Sequence, residues 1–174
     1  QKRRIIDVIS QLKKVISNDI LISVDTTSSE VAEAAIDLKV DMINDISGGT
    51  DDEDLISLVA SHDLYYCIMH KKGEPKTMQD NPSYVDVLKE VKEFLLEQAI
   101  KAEQCGISKN KIILDPGIGF GKNTEHNLIL LKNLKNLSSL GYFTLLGTSR
   151  KKIFSELSGE NNPCTRSAIR YKYL

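Results

Sequence analysis

The chain has 174 residues, of which 41% are hydrophobic and 27% are charged, as is typical of a soluble globular protein. Its 23 Lys+Arg and 24 Asp+Glu residues leave a formal net charge of -1, which argues against nucleic-acid binding through a broad basic surface. No apolar run approaches the ~18 residues that a membrane span requires, and no apolar signal-peptide core follows the basic start, so we expect a cytoplasmic protein without membrane or nucleic-acid partners.

Short β-rich runs alternate along the chain with segments of helical periodicity. The runs cover residues 20–24, 40–43, 64–69, 111–114 and 142–146, and the helical segments cover 5–16, 31–38, 55–59, 88–102 and 128–137. Thr27 with Glu30, and Thr50 with Glu53, have the spacing of capping boxes before the second and third helices. Because nearly continuous apolar strands joined by helices are typical of parallel sheets, the pattern predicts an α/β fold.

Two α/β architectures are compatible with this pattern. Length favours a five-stranded doubly wound sheet, because a complete (β/α)8 barrel typically needs ~250 residues. However, the chain begins on a helix with no strand before it and ends in mid-pattern at residues 170–174, which favours a barrel that is cut at both ends.

The cysteines and histidines are too dispersed to predict a disulfide framework or a metal site. They are Cys67, Cys105, Cys164, His62, His70 and His126. Cys67 lies within an apolar run, which is typical of a buried small hydrophobe.

Polar residues follow the strands at their carboxyl ends, the face where parallel α/β folds bind ligands. They are Asp25, Asn44, Asp45, His70, Asp115, Ser149 and Lys151. Helix capping is an equally good interpretation of Asp45 and Ser149, but Asp25 and Asp115 do not stand in cap positions. Two carboxylates, an amide and an ammonium at one rim predict a polar, planar ligand.

The glycine-rich segment 117–122 matches neither nucleotide-binding pattern. A Rossmann fingerprint needs a third Gly at Lys122, and a Walker A loop needs Gly at Pro116 and Ser or Thr at Asn123. We therefore expect a flexible loop that lets the backbone and Phe120 approach a ligand.

In order and spacing, the strand ends resemble those of dihydropteroate synthases. The matching segments are 22–26 (ISVDT), 42–46 (MINDI), 69–78 (MHKKGEPKTM), 113–122 (ILDPGIGFGK), 126–127 (HN) and 147–151 (GTSRK). The resemblance runs from about residue 3 to residue 158. It implies a TIM-type (β/α)8 barrel, incomplete here with about five of eight βα units, and a single partial pterin-binding domain over residues 1–174 in which 159–174 diverges.

The resemblance also implies an activity and its residues. The family condenses 6-hydroxymethyl-7,8-dihydropterin diphosphate with 4-aminobenzoate in folate biosynthesis, giving 7,8-dihydropteroate and diphosphate, and it is the target of sulfonamides. The implied pterin contacts are Asp25, Asn44, Asp115, Lys151, Met69 and Phe120; the implied 4-aminobenzoate contacts are Ser149, Phe120 and Lys151; and Lys151 and Asp115 are the implied catalytic residues. Mg2+ bound with the diphosphate and a homodimer are implied as well.

Parts of the family pattern are missing from this sequence. They are the Asn that binds magnesium, the Thr-Arg loop and the Arg-x-His clamp on the diphosphate. We therefore expect no metal ligand in this chain and an unstable or inactive isolated polypeptide. Two alternatives stay open: a methyltetrahydrofolate:corrinoid methyltransferase-type domain, which segments 73–78 and 149–151 disfavour, and a non-catalytic fragment.

Overall fold

The computed structural model describes residues 2–74, 76–149 and 151–159, in which strands and helices alternate. The strands are β1 (Ser23–Asp25), β2 (Met42–Asp45), β3 (Tyr65–Met69), β4 (Ile112–Asp115) and β5 (Phe143–Thr144). The helices are α1 (Lys2–Leu12), α2 (Ser29–Ile36), α3 (Asp54–Ala60), α4 (Val87–Gln104), α5 (Thr124–Lys132), α6 (Leu134–Ser138) and α7 (Lys152–Ser158). Each predicted strand is present, with its bounds shifted by at most three residues.

The strands form one parallel sheet in the order β1-β2-β3-β4-β5. A doubly wound sheet reverses its strand order at a switch point, whereas a (β/α) barrel adds each strand beside the last. The consecutive order therefore confirms the prediction of an incomplete (β/α)8 barrel and excludes the doubly wound sheet.

The helices cover one face of this sheet and build the core there. Val24, Ile43, Ile68 and Leu114 alternate with inward-facing residues and are at most 6% exposed. They share one cluster with apolar residues of α2, α3 and α4. Each fully buried aliphatic side chain contributes about 1.5–3 kcal/mol, so this outer layer holds the strands in register.

The opposite face, which lines the interior of a barrel, carries the polar residues. Asp25 pairs with Asn44, and Asn44 pairs with Cys67, so these three lie at one level. Met69 and Asp115 pair one level further toward the carboxyl ends. Because side chains alternate along a strand, all five point to the same side.

Helix α4 confirms the long helix predicted between β3 and β4. The side chain of its N-cap Asp86 accepts a hydrogen bond from the Lys89 N–H at 3.0 Å. A buried stripe at helical spacing, which includes Val91, Leu95 and Ala99, packs against the sheet. The helix ends before Gly106, which has a φ of +107°, a backbone conformation that favours glycine.

The two predicted capping boxes are wrong. Helix α2 begins after Ser28 and α3 after Glu53, and neither residue makes a side-chain cap. Instead, the Asp52 carboxylate accepts from the Ser29 N–H at 2.7 Å and from the Asp54 N–H at 3.1 Å. Asp52, in the loop directly before α3, thus binds both helix starts, and a local sequence pattern cannot reveal its contact with α2.

The helix predicted over residues 128–137 is divided into α5 and α6 at Asn133. Its side-chain Nδ2 donates to the Ile129 carbonyl at 2.8 Å, which competes with the regular helical bonds. Beyond Gly159, the predicted divergent segment lies outside the described residues, and the single domain stays a prediction. No helix in the described part of the chain is long and apolar enough to cross a membrane.

Candidate active site

Asp25 and Asn44 form a hydrogen-bonded pair at the ends of β1 and β2. The Asn44 Nδ2 donates to Asp25 Oδ1 at 2.8 Å, so the amide oxygen points away from the carboxylate. This Asn44 Oδ1 is buried and has no hydrogen-bond partner among the described residues. Because an unpaired buried acceptor costs about 1–3 kcal/mol, the pair is well suited to accept an N–H from a ligand.

Asp115 is the buried carboxylate of the site, with 5% of its surface exposed. Its Oδ1 accepts from the Gly117 N–H at 2.7 Å, while its Oδ2 lies 3.7 Å from where a Cβ on Gly147 would stand. Burial raises the pKa of Asp115, and the Gly117 N–H, Lys151 and Lys122 oppose that rise. The carboxylate would therefore gain from ligand donors that replace its lost hydration.

Lys151 lies over the Phe120 ring at the start of α7. Its Nζ is 4.0 Å from the ring centre, a cation–π distance, and its Cδ is 3.2 Å from where a Cβ on Gly119 would lie. Partial burial lowers the pKa of Lys151, and Asp115 opposes that change. The structure thus brings an ammonium and an aromatic wall to the Asp115 end of the site.

Met69 and Ser149 occupy different places in this arrangement. Met69 is 3% exposed and lies beside Asp115 in the sheet, where its Cγ packs close to Gly117. Ser149 is exposed on the loop that leads into α7. Six of the seven predicted site residues therefore gather around the inner face, and Ser149 stands at its rim.

Cys67 belongs to the same face, although sequence reasoning assigned it only to the core. It is fully buried, as predicted, between Asn44 and Ile113 in the sheet register. Burial raises the pKa of its thiol, and Asp115, Asp25 and Asp45 raise it further. The period-two spacing to Met69 is the signal that could have placed it in the site.

The glycine loop between β4 and α5 is tightly held rather than flexible, which corrects the expectation. The Gln79 Nε2 donates to the Gly119 carbonyl at 2.5 Å, and the Gly119 N–H donates to Asn127 Oδ1 at 2.8 Å. A Cβ on Gly117 or Gly121 would collide with the carbonyl oxygen of His70 or Lys72, respectively. The glycines therefore allow two loops to touch, backbone against backbone.

Asp45 has a structural role, although it stands beside the site in sequence. Its carboxylate is fully buried on the outer face and accepts from the Ser47 N–H, the Ser47 Oγ, the Gly49 N–H and the Tyr66 hydroxyl at 2.6–2.8 Å. These bonds fix the turn after β2 rather than cap a helix.

Comparisons with known proteins agree with this geometry. The profile of the family described as "Pterin binding enzyme" matches residues 1–172. A dihydropteroate synthase from Synechocystis sp. is 39% identical over 163 residues, covering 94% of this chain and 56% of that protein. The chain spans about half the length of the curated relatives it matches.

Solved structures give the same similarity in three dimensions. Dihydropteroate synthase from Thermus thermophilus in complex with 4-aminobenzoate is 40% identical, with a TM-score of 0.89 over 97% of this chain and 63% of that one. The same synthase in complex with 6HMPPP also has a TM-score of 0.89 at 40% identity, over 97% of this chain and 65% of that one.

Proposed function

Since this chain belongs to the pterin-binding enzyme family, we propose that it forms most of the pterin pocket of a dihydropteroate synthase. The observation that carries the proposal is the inner-face row of acceptors. Asp25 and Asn44 stand on the neighbouring strands β1 and β2, Asp115 faces the same side from β4, and the Asn44 Oδ1 is buried without a partner among the described residues. The similar synthases, one of them in complex with 4-aminobenzoate and one with 6HMPPP, support the same assignment.

The pterin ring matches these acceptors in chemistry. Its guanidine-like edge presents adjacent N–H donors, and an ionised carboxylate can accept two such donors side by side. In this proposal Asp115 takes that edge, while Asp25 and the Asn44 Oδ1 take the remaining ring N–H groups. Lys151 donates to the pterin carbonyl, and Met69 and Phe120 form apolar walls. Buried acceptors of this kind discriminate strongly against ligands that lack the donors.

The proposed reaction needs little covalent help from the protein. The bond between the pterin methylene carbon and the diphosphate oxygen breaks, and the diphosphate leaves with the electron pair. The aniline nitrogen of 4-aminobenzoate then attacks the delocalised pterin-methyl cation, forms the C–N bond and loses a proton to solvent. Fixed carboxylates beside the pterin stabilise the cation where it develops, which is electrostatic preorganisation.

The second substrate would lie between Phe120 and Lys151. The Phe120 ring supplies an apolar surface, and the Lys151 ammonium above it supplies positive charge near the 4-aminobenzoate. Ser149, exposed at the rim, would donate to the carboxylate of this substrate. A sulfonamide should compete for the same place, because it carries a similar aniline ring.

Magnesium binding and dimeric assembly are proposed on the resemblance alone. Mg2+ would neutralise the substrate diphosphate, but no group of three or more potential metal ligands lies among the described residues. Mg2+ would act on the diphosphate, so we expect binding of the pterin ring to be independent of it. We also propose a homodimeric, cytoplasmic protein; light scattering and cell fractionation would test these two points.

Titration calorimetry with the 174-residue chain tests the proposal. We expect binding of a 6-hydroxymethylpterin and, in its presence with diphosphate, of 4-aminobenzoate or a sulfonamide. Methyltetrahydrofolate binding without 4-aminobenzoate binding would instead support the corrinoid methyltransferase alternative. We expect little dihydropteroate formation by this chain alone, and robust turnover would contradict that expectation.

A further inference from the structure

Lys122 is a buried lysine that the proposed reaction does not use. It is 2% exposed and stands at the end of the glycine loop, between β4 and α5. Its Nζ contacts His70 Nδ1 at 2.9 Å, the Gly117 and Phe120 carbonyls at 3.0 Å and the His70 carbonyl at 3.2 Å. An ammonium has three N–H donors, so these four acceptors occupy all of them and leave none for a substrate.

These contacts connect two loops that border the pocket. His70 directly follows β3, and Gly117 and Phe120 belong to the loop after β4. Because an ammonium only donates, His70 Nδ1 is an acceptor and the imidazole is neutral. Burial, together with the charge of Lys122, lowers the pKa of His70 to about 3, which agrees with a neutral ring at physiological pH.

Lys122 also acts on two charged groups of the site, Lys151 and Asp115. Lys122 donates to the backbone carbonyl of Phe120, and the ammonium of Lys151 lies over the ring of the same Phe120. The positive charge of Lys122 favours the ionised form of Asp115, lowering the pKa that burial raises. Burial lowers the pKa of Lys122 itself to about 7, so Lys122 is a cation below neutral pH.

We propose that Lys122 is a positioning residue: its ammonium joins the end of β3 to the glycine loop, sets the Phe120–Lys151 wall and keeps Asp115 ionised for the pterin. This inference rests on the proposed function for its ligand, but its electrostatic part concerns the ligand-free chain. The charged and titratable groups that face Lys122 are Asp115 on β4, Lys151 before α7, His70 after β3 and His126 on α5.

The substitutions Lys122→Met and Lys122→Gln separate the two contributions. Methionine removes both charge and donors, whereas glutamine removes the charge and keeps an amide donor. We expect Lys122→Met to weaken pterin binding by at least ~10-fold, because it leaves buried acceptors unpaired. Lys122→Gln should lose less affinity. In both variants the loss of pterin binding on acidification should move to higher pH. The matched control is Lys132→Met, at an exposed lysine of α5. It should change neither the pterin affinity nor the pH at which binding is lost.

Nuclear magnetic resonance of the ligand-free chain can follow the titration of Asp115 and Lys122, which would not change if Lys122 had a purely structural role. With labelled side chains, the Asp115 carboxyl should titrate at higher pH in both variants than in the wild type. In the wild type, the Lys122 ammonium should titrate near pH 7, well below the ~10.4 of an ordinary lysine.

Two results would overturn the proposal, and the second of them needs no variant. One is an unchanged Asp115 titration in a folded Lys122 variant, and the other is a wild-type Lys122 that titrates like an exposed lysine. Absence of pterin binding by the wild type would count against the proposed function instead, and the ligand-free titrations would still decide the role of Lys122.

Discussion

Asp115→Asn separates ligand binding from folding at the centre of the candidate site. In the wild type, the Gly117 N–H occupies Oδ1, and Oδ2 faces the Gly147 side of the pocket. An asparagine can keep its carbonyl oxygen toward Gly117, which then places its NH2 group where Oδ2 stood. That group would meet a pterin N–H donor with another donor.

The expected loss has two parts. One charge-assisted hydrogen bond disappears, and one ligand donor is left buried without an acceptor, for a total of about 2–4 kcal/mol. This corresponds to a Kd for the pterin that is about 30- to 1,000-fold higher. The stability of the fold should hardly change. Burial raises the pKa of Asp115, so the carboxyl group contributes less to stability as pH rises through that pKa, and removing its charge should cost the fold little.

Asp45→Asn is the matched control at another buried strand-end carboxylate. Its oxygens accept four hydrogen bonds from protein donors, so an NH2 group there must face a donor. Denaturant unfolding should show Asp45→Asn to be destabilised by about 2–4 kcal/mol and Asp115→Asn by less than about 1 kcal/mol. In calorimetry, Asp115→Asn should lose much more pterin affinity than Asp45→Asn. Unchanged pterin affinity in Asp115→Asn would refute the assigned role.

Three further predictions concern pH, the glycine loop and the thiols. Pterin binding needs an ionised Asp115, whose pKa is raised above 3.8, so pterin affinity should fall on acidification at a higher pH than for an ordinary aspartate. Calorimetry across pH 4–7 would measure this fall, and a constant affinity over that range would contradict the prediction. Gly117→Ala, at φ +65° with its Cβ directed at the His70 carbonyl, should cost about 1–3 kcal/mol in denaturant unfolding; an alanine variant as stable as the wild type would contradict the loop contact. Cys67, fully buried with its pKa raised, should react with iodoacetamide far more slowly than the exposed Cys105 in peptide mass mapping, and equal rates would show that the inner face is open at Cys67.

Much of the fold could be read from local patterns because each βα unit carries its own signal. Short β-rich apolar runs predicted all five strands, and helical spacing with the end signal at Gly106 predicted α4. The capping predictions failed because Asp52 binds the starts of both helices. Its contact with Ser29 of α2 crosses 23 residues and has no local sequence signal, whereas its contact with Asp54 of α3 is local and was assigned to Thr50 instead.

The candidate site divides in the same way. From the sequence alone it follows that Asp25, Asn44 and Asp115 lie at strand ends on one rim, since parallel strands bring their carboxyl ends to the same side whatever the details of packing. Only the tertiary structure separates the strand-end carboxylates: Asp45 lies on the helix side and accepts four hydrogen bonds from protein donors, whereas Asp115 faces inward, where we propose that the pterin binds. It alone also revealed Lys122, because burial and contact with His70, 52 residues away, depend on how two loops meet in space.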